Sequence, residues 1–151
     1  MEMRMWHYKL LDVLPELQFR GQLRELVAIC SNIQQFATPR HLLVNILQQY
    51  PPEHLATYID YYISIYEKRY GKKPNSYDKL QEFTYDFLNV EPYKTVDGIY
   101  SEWHNRGYLR VCMANLYEKF AYSDGKSKIS EDEWKHLTDR YLELTGHNYI
   151  I

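Results

Sequence analysis

Residues 51–71 read PPEHLATYIDYYISIYEKRYG, and this stretch carries the pattern of a complete α-helix. Pro52 can open the helix, because proline is well tolerated at the first helical position. Apolar and aromatic side chains then recur at spacings of three and four, the period of a helix with one buried face. They are Leu55, Tyr58, Ile59, Tyr62, Ile63 and Tyr66. Lys68 and Arg69 in the last turn, followed by Gly71, are typical of a helix C-terminus, so the stretch predicts one long amphipathic helix.

The sequence on either side of this helix repeats the same signals. Thr38 can cap a second helix that has Pro39 at its first position. Ser130 and Glu133 form a capping box for a last helix that ends at Gly146. The predicted helices are about Pro15–Phe36, Pro39–Tyr50, Pro52–Arg69, a short helix that Ser76 can cap and that carries Leu80, Phe83 and Phe87, about Asn105–Tyr122, and Ser130–Thr145. No segment alternates with a period of two. The sequence therefore predicts an all-α fold of about five or six helices in a single compact domain, residues 1–151.

The spacing of apolar residues also predicts buried faces for the first and fifth of these helices. The first face is Leu23, Leu26, Val27, Cys30 and Ile33, and the second is Leu109, Cys112, Met113, Leu116, Tyr117 and Phe120. Two cysteines are too few and too far apart for a disulfide scaffold or a zinc site. Cys30 and Cys112 are therefore expected to be buried, reduced thiols.

Composition excludes several classes of protein. The chain has 151 residues, 18 Lys+Arg against 20 Asp+Glu, a net charge of -2, and 45% apolar residues, which indicates a globular domain. A strongly basic domain, the usual electrostatic sign of a nucleic-acid-binding protein, is absent. The longest apolar run is too short to span a membrane, and the first residues lack the pattern of a signal peptide. We expect a cytoplasmic protein.

Metal and nucleotide sites have no support in the sequence. Residues 122–133, YSDGKSKISEDE, resemble a calcium loop only in part, because Tyr122, Lys126 and Ser127 stand where a first ligand, a fifth-position ligand and glycine belong. The six histidines form neither HExxH nor a close cluster with cysteine. No phosphate-binding glycine loop is present. We therefore expect no metal and no cofactor.

The N-terminal helix combines one acid with two arginines. Arg20 and Arg24 are four residues apart and share a face, and Glu25 lies one position further round. Gly21 lies one turn before Glu25 and leaves room for a backbone or a ligand to approach that carboxylate. Such a group could bind a phosphate and hold a carboxylate ready for proton transfer. The alternative is an ordinary solvated helix face with a Glu–Arg pair.

A longer motif includes this group. Met-Arg-x-Trp-His at residues 3–7 is followed by LPELQFRGQLREL at residues 14–26. Together they resemble the opening of the pyrimidine-dimer DNA glycosylase family, and more closely its uncharacterised bacterial members than the phage enzyme. The resemblance covers about residues 3–74 and extends weakly to 116, whereas residues 117–151 are an unassigned helical part.

The resemblance implies a DNA repair enzyme that removes a damaged pyrimidine and cleaves the strand at the abasic site. In this family the N-terminal amine attacks the sugar and forms a Schiff base, assisted by a glutamate. Glu25 matches that glutamate, and the amine here would belong to Met1 or Met3. The implied DNA contacts are Arg4, Arg20, Arg24 and His7, and the implied partner is damaged double-stranded DNA.

A second interpretation stays open: a non-catalytic nucleic-acid-binding or protein-interaction module on the same helical fold. The arginines and the basic residues 68–73 could be solvated helix ends. His7 beside Trp6 could be a packed side chain with one hydrogen bond. The tyrosines of the long helix could stack on bases, although most of them lie near its apolar face; they are Tyr58, Tyr61, Tyr62 and Tyr66. The sequence leaves the oligomeric state open.

Overall fold

The computed structural model of the protein describes residues 4–36, 42–125 and 128–151. These residues form a short 3₁₀ helix and six α-helices, the fourth of which continues into a π-helical turn. The 3₁₀ helix is Tyr8–Val13, and the α-helices are α1 (Glu16–Gln35), α2 (Leu42–Leu47), α3 (Pro52–Tyr70), α4 (Tyr77–Glu82, with the π turn Phe83–Phe87), α5 (Arg106–Ala121) and α6 (Glu131–Thr145). The described residues contain no β-strand, so the all-α prediction is confirmed.

The chain divides into two compact units. The first consists of Arg4, Met5 and the described residues of Gln22–Tyr100, and the second of Trp6–Gly21 and the described residues of Ser101–Ile151. The division falls inside α1, between Gly21 and Gln22. The assignment of residues 1–151 to a single domain stays a prediction.

Helix α3 supplies much of the core of the first unit. The predicted inward side chains are all buried: Leu55, Tyr58, Ile59, Tyr62, Ile63 and Tyr66. The helix begins at Pro52, and it ends at Gly71, which adopts a left-handed φ of 70° that glycine accepts without strain. The sequence prediction for this helix is therefore confirmed at both ends and along its buried face.

Two side chains near the start of α3 hold the loop that follows α4. His54 Nδ1 accepts a hydrogen bond from the Tyr100 backbone N–H at 3.0 Å, and Thr57 Oγ1 accepts one from the Tyr93 N–H at 2.7 Å. His54 and Thr57 are three residues apart and share a helix face, so both can reach the same loop. Tyr100 is fully buried and has a left-handed φ of 52°, and the hydrogen bond that its N–H donates to His54 helps to hold that conformation.

The buried face of α1 differs from the predicted one. Leu23 and Val27 are only half-buried, whereas the fully buried positions are Phe19, Gln22, Leu26, Ile29 and Cys30. The buried face of the helix is therefore displaced by about one residue from the predicted face. It includes Gln22, which the prediction left out because glutamine is not apolar. The reason is that Gln22 forms hydrogen bonds inside the first unit, which make its burial tolerable.

In the second unit, Arg140 on α6 binds the 3₁₀ helix. Arg140 donates hydrogen bonds to both carboxylate oxygens of Asp12, at 2.6 and 2.9 Å, and to the backbone carbonyl of Lys9 at 2.7 Å. A bidentate pair of this kind fixes orientation as well as adding energy. The predicted capping box of α6 is present, since Ser130 and Glu133 exchange side-chain-to-backbone hydrogen bonds. This cap and turn occupy the stretch that only partly resembles a calcium loop.

Several smaller predictions have mixed outcomes. Cys30 and Cys112 are buried and neither forms a disulfide, as predicted, and burial raises the pKa of the Cys30 thiol to about 12. Ser76 stands at the N-cap of α4, but its side chain makes no capping hydrogen bond, so that detail is wrong. The predicted Thr38–Pro39 cap lies outside the described residues. None of the described helices is both long and apolar enough to cross a bilayer.

Candidate functional site

The start of the described chain is fastened to α1 at Glu25. The backbone N–H of Arg4 donates a short hydrogen bond to Glu25 Oε2, across 21 positions of sequence. Glu25 is half-buried and Arg4 partly exposed, so the contact lies at the edge of the first unit. The backbone that approaches this carboxylate thus belongs to the chain's own N-terminal segment.

A second hydrogen bond binds the carbonyl oxygen of Arg4. Gln22 Nε2 donates to the Arg4 carbonyl oxygen at 2.9 Å. Gln22 and Glu25 are three residues apart on α1, so their side chains project from the same face. Both backbone polar groups of Arg4 are therefore bound by one helix turn.

Gln22 is in turn bound from α3. The Tyr58 hydroxyl donates to Gln22 Oε1 at 3.2 Å. Gln22 is 1% exposed and Tyr58 is 0% exposed, so this contact lies in the core. Hydrogen bonds therefore connect Tyr58 to Gln22 and Gln22 to the Arg4 carbonyl. The Arg4 N–H is bound in turn to Glu25, which is half-buried.

The electrostatics of Glu25 suit proton transfer. Burial raises the pKa of its carboxyl, because the charged form loses hydration. The hydrogen bond from the Arg4 N–H and the positive charges of Arg4 and Arg24 lower the pKa and therefore oppose this effect of burial. A raised pKa brings a carboxyl closer to neutral pH, the range that suits a general acid or base.

The predicted arginines have different surroundings. Arg24 is exposed beside Glu25 in the first unit. Arg20 belongs to the second unit and forms an exposed ion pair with Glu16, with its Nε 2.9 Å from Glu16 Oε1. Such a surface pair contributes little to stability. The structure thus brings Arg4, Arg24 and Glu25 together in the first unit.

His7 lies in a buried cluster of the second unit. It is 3% exposed, and its Nδ1 accepts a hydrogen bond from the Lys9 backbone N–H at 3.1 Å. Its ring lies 5.0 Å from that of His104 and 5.1 Å from that of Tyr8, measured between centroids. Burial lowers the pKa of His7 to about 4 and that of His104 to about 2, so both rings are neutral at pH 7. His7 is therefore a neutral packed side chain here, and its predicted contact with DNA stays a prediction.

These two histidines should make the protein sensitive to mild acid. The unfolded chain takes up protons on them once the pH falls below about 6.5, whereas the folded chain does not, so stability falls with pH. His104 alone should account for a loss of about 2 kcal/mol between pH 7 and pH 5. His104→Asn keeps an acceptor for the Tyr8 N–H that His104 Nδ1 now binds at 3.2 Å, and it cannot titrate.

We expect the free energy of unfolding of His104→Asn, measured in urea at both pH values, to fall by clearly less than that of the unsubstituted protein. His136→Asn is the matched control, because His136 is exposed on α6. A His104→Asn variant that loses as much stability on acidification as the His136→Asn control would contradict the assignment.

The described residues offer no grouping of side chains suited to a metal ion. Among residues 4–36, 42–125 and 128–151, no three His, Cys, Asp or Glu side chains are grouped so that they could hold a metal ion. The amines of Met1 and Met3, the two predicted nucleophiles, lie outside the described residues. The surroundings of Glu25 are therefore the part of the predicted site that can be described.

Sequence reasoning missed Gln22 altogether and considered Tyr58 only as a stacking or core residue. A signal for Gln22 does exist in the sequence. Phe19, Gln22, Leu26 and Ile29 recur at helical spacing, and all four are buried. A lone amide on an otherwise apolar helix face predicts a buried hydrogen-bonding role.

Comparison with known proteins gives one result that bears on this site. Neither the curated proteins nor the solved structures give a match. The family model for pyrimidine dimer DNA glycosylase matches residues 3–78, just over half of the chain. The matched region contains Arg4, Gln22, Glu25 and Tyr58, the four residues of the hydrogen-bond chain. The chain belongs to the pyrimidine dimer DNA glycosylase family.

Proposed function

We propose that this protein is a DNA glycosylase and abasic-site lyase that acts on damaged pyrimidines through an N-terminal amine assisted by Glu25. The observation that carries the proposal is the bond between Glu25 and the Arg4 backbone nitrogen. It holds the N-terminal segment at a carboxyl of raised pKa, within the region that matches the family.

An α-amine is a suitable nucleophile at neutral pH. Its unperturbed pKa is about 7.7–8.0, two to three units below that of lysine, so a useful fraction is uncharged. In the proposed reaction the amine attacks C1′ of the damaged nucleotide and the bond from C1′ to the base breaks. The base leaves with the bonding electrons and takes up a proton, while the attached nitrogen loses one. The nitrogen lone pair then forms the C=N bond of a protonated Schiff base as the C1′–O4′ bond breaks, and O4′ takes up a proton as the sugar ring opens. Loss of a C2′ proton then expels the 3′ phosphate and cleaves the strand.

Covalent reach favours an amine on Met3 over one on Met1. A chain spans at most about 3.6 Å per residue, so a Met3 nitrogen is at most about 3.6 Å from the Arg4 nitrogen. A Met1 nitrogen can be as far as about 11 Å from the same atom. Because the Arg4 nitrogen is itself bound to Glu25, a chain that begins at Met3 keeps its amine close to the carboxyl.

Glu25 can serve this reaction in two ways. Its ionised form can accept a proton from the attacking amine and stabilise the cationic intermediate. Its protonated form, which burial favours, can supply the proton that the departing base needs. The same carboxyl can therefore assist two successive steps, first in its ionised form and then in its protonated form.

Arg4, Arg24 and Arg20 are the proposed phosphate contacts. Guanidinium groups bind phosphate oxygens through paired donors. The net charge of -2 limits the affinity for undamaged duplex, because neutralised phosphates supply most non-specific binding. A lesion lowers the free energy needed to unstack a base, so damaged sites are favoured over intact ones.

The test is a cleavage assay with borohydride trapping on a duplex that carries one pyrimidine dimer. We expect strand cleavage at the dimer, and a covalent protein–DNA adduct when borohydride reduces the Schiff base. The same duplex without the dimer is the control and should give neither product. An abasic duplex should also be run, although many exposed amines react with it, so an adduct there alone does not support the proposal.

The outcome that would refute the glycosylase proposal is binding of the dimer duplex with neither cleavage nor adduct. That result would favour the non-catalytic binding module on the same fold. Absence of any DNA binding would favour a protein-interaction module instead.

A further inference from the structure

We propose that Gln22, held in place by Tyr58, is a positioning residue that fixes the Arg4 backbone at Glu25 and so limits where the preceding, amine-bearing residue can lie. The proposal rests on the proposed function for its catalytic consequence. Its structural part is the clamp on Arg4, by which we mean the two hydrogen bonds that hold the Arg4 N–H at Glu25 and the Arg4 carbonyl at Gln22. This clamp can be tested without any substrate.

The geometry of Arg4 calls for two fastening points. The Arg4 N–H belongs to the amide that joins residues 3 and 4, and the Arg4 carbonyl belongs to the amide that joins residues 4 and 5. A single hydrogen bond from the N–H to Glu25 would leave the backbone free to rotate about the φ and ψ bonds of Arg4. The second bond, from Gln22 Nε2 to the carbonyl at 2.9 Å, holds the other planar amide, so rotation about φ and ψ is restricted and the direction in which the chain leaves Arg4 is limited.

Tyr58 supports the orientation of the Gln22 amide from the side opposite Arg4. The amide has one accepting oxygen and one donating nitrogen, and only the nitrogen can bind a carbonyl. The Tyr58 hydroxyl donates to Gln22 Oε1 at 3.2 Å, while Nε2 donates to the Arg4 carbonyl. If this hydroxyl is removed, the buried Oε1 loses that donor and the side chain that binds Arg4 is held less firmly.

Burial makes this arrangement rigid. Gln22 is 1% exposed and Tyr58 is 0% exposed, so water does not compete readily for either hydrogen bond. Tyr58 belongs to the buried face of α3, with Leu55, Ile59 and Tyr62 as buried neighbours on the same helix. The Arg4 backbone is thus held in a fixed position relative to the core of the first unit.

Two variants test the proposal against a matched control. Gln22→Met keeps length and volume but removes both hydrogen bonds, and Tyr58→Phe removes only the hydroxyl. Thr57→Val is the control, because it removes a buried hydroxyl from the next position of α3 that binds Tyr93 and not Arg4. Stability measurements should show comparable losses for the three variants.

The kinetic readout is the separation of kcat from KM on the dimer duplex. We expect Gln22→Met to lower kcat by about 10- to 100-fold, since displacement of a reacting group by about 1 Å has effects of this size. Tyr58→Phe should lower it by about 3- to 10-fold, the weight of one hydrogen bond. KM should stay within about twofold for both variants, because neither side chain reaches solvent. A kcat for Gln22→Met as high as that of Thr57→Val would overturn the proposal, and Tyr58→Phe decides the question if Gln22→Met does not fold.

The substrate-free readout is hydrogen exchange of the Arg4 amide relative to a core amide of α3. Gln22→Met should accelerate exchange at Arg4 by about 10-fold or more at unchanged core protection, whereas Thr57→Val should not. Unchanged exchange at Arg4 in Gln22→Met would overturn the clamp itself. If the unsubstituted protein lacks glycosylase activity but the exchange result holds, the proposed function fails while the clamp stands.

Discussion

Replacement of Glu25 by glutamine is expected to slow Schiff-base formation by about 100-fold or more, the usual weight of a positioned acid–base group. Glutamine retains an oxygen that can accept the Arg4 N–H, so the N-terminal segment should keep its place. What is lost is the negative charge and the exchangeable proton. Affinity for the duplex should not fall, because the substitution removes a charge that repels phosphate.

Single-turnover borohydride trapping on the dimer duplex measures this effect, with duplex affinity determined separately. Glu16→Gln is the matched control, since Glu16 lies on the same helix and is exposed. It should leave the trapping rate within about twofold, as expected for the loss of a surface ion pair. A Glu25→Gln variant that traps DNA as fast as this control would remove Glu25 from the mechanism.

The stability of the same variant separates a chemical defect from a folding defect. Because burial raises the pKa of Glu25, the folded chain favours the protonated carboxyl. The ionised carboxyl therefore lowers stability as the pH rises above the pKa of glutamate in the unfolded chain. Glu25→Gln should for this reason be at least as stable as the unsubstituted protein at neutral pH.

The second large effect concerns the residue at which the polypeptide begins. A chain that begins at Met3 is expected to form the Schiff base about 100-fold faster than one that begins at Met1, which is the size of effect that misplacement of a reacting group produces. The extra residues Met1 and Glu2 move the amine away from the Arg4 nitrogen that Glu25 binds. Both forms should retain their methionine, because glutamate and arginine at the second position are too large for efficient removal.

Purified proteins with each start, verified by intact mass, should be compared in the same single-turnover assay. Acetylation of the Met3 amine provides the control, because it removes the nucleophile and leaves the fold intact. Equal rates for the two proteins would show that the rate of Schiff-base formation does not depend on the distance between the terminal amine and the Arg4 nitrogen. Activity that survives acetylation would exclude the terminal amine as the nucleophile.

The helices were largely predictable because their signals are local. Gly71 and the box of Ser130 and Glu133 mark helix ends through backbone conformation and hydrogen bonding within a few residues. The buried face of α3 follows from the regular recurrence of apolar side chains. No contact distant in sequence is needed to read any of these features.

The candidate site depends on contacts between residues far apart in sequence, and it was only partly predictable. Resemblance to a family singled out Glu25 and the N-terminal amine, but no local pattern indicates that Arg4 binds Glu25 across 21 positions. Gln22 was missed because a rule that follows apolar residues skips a polar one, even where the tertiary structure satisfies it. Tyr58 was correctly placed in the core, yet the partner of its hydroxyl lies 36 positions away.

His7 illustrates the opposite difficulty. Its place in the Met-Arg-x-Trp-His motif suggested a contact with the ligand, whereas the structure packs it against His104, nearly a hundred residues further along the chain. The low pKa of each ring follows mainly from burial, to which the neighbouring charge of His7 adds at His104, and a sequence pattern does not reveal this burial.

The most direct test of the central claim is to identify the protein nitrogen that becomes joined to DNA. The adduct trapped by borohydride on the dimer duplex should be digested with protease and nuclease, and the modified peptide sequenced by mass spectrometry. We expect the sugar remnant on the α-nitrogen of the N-terminal methionine of a chain that begins at Met3, and a greatly reduced yield in Glu25→Gln. A remnant on a lysine side chain, or an adduct whose yield does not depend on Glu25, would contradict the mechanism.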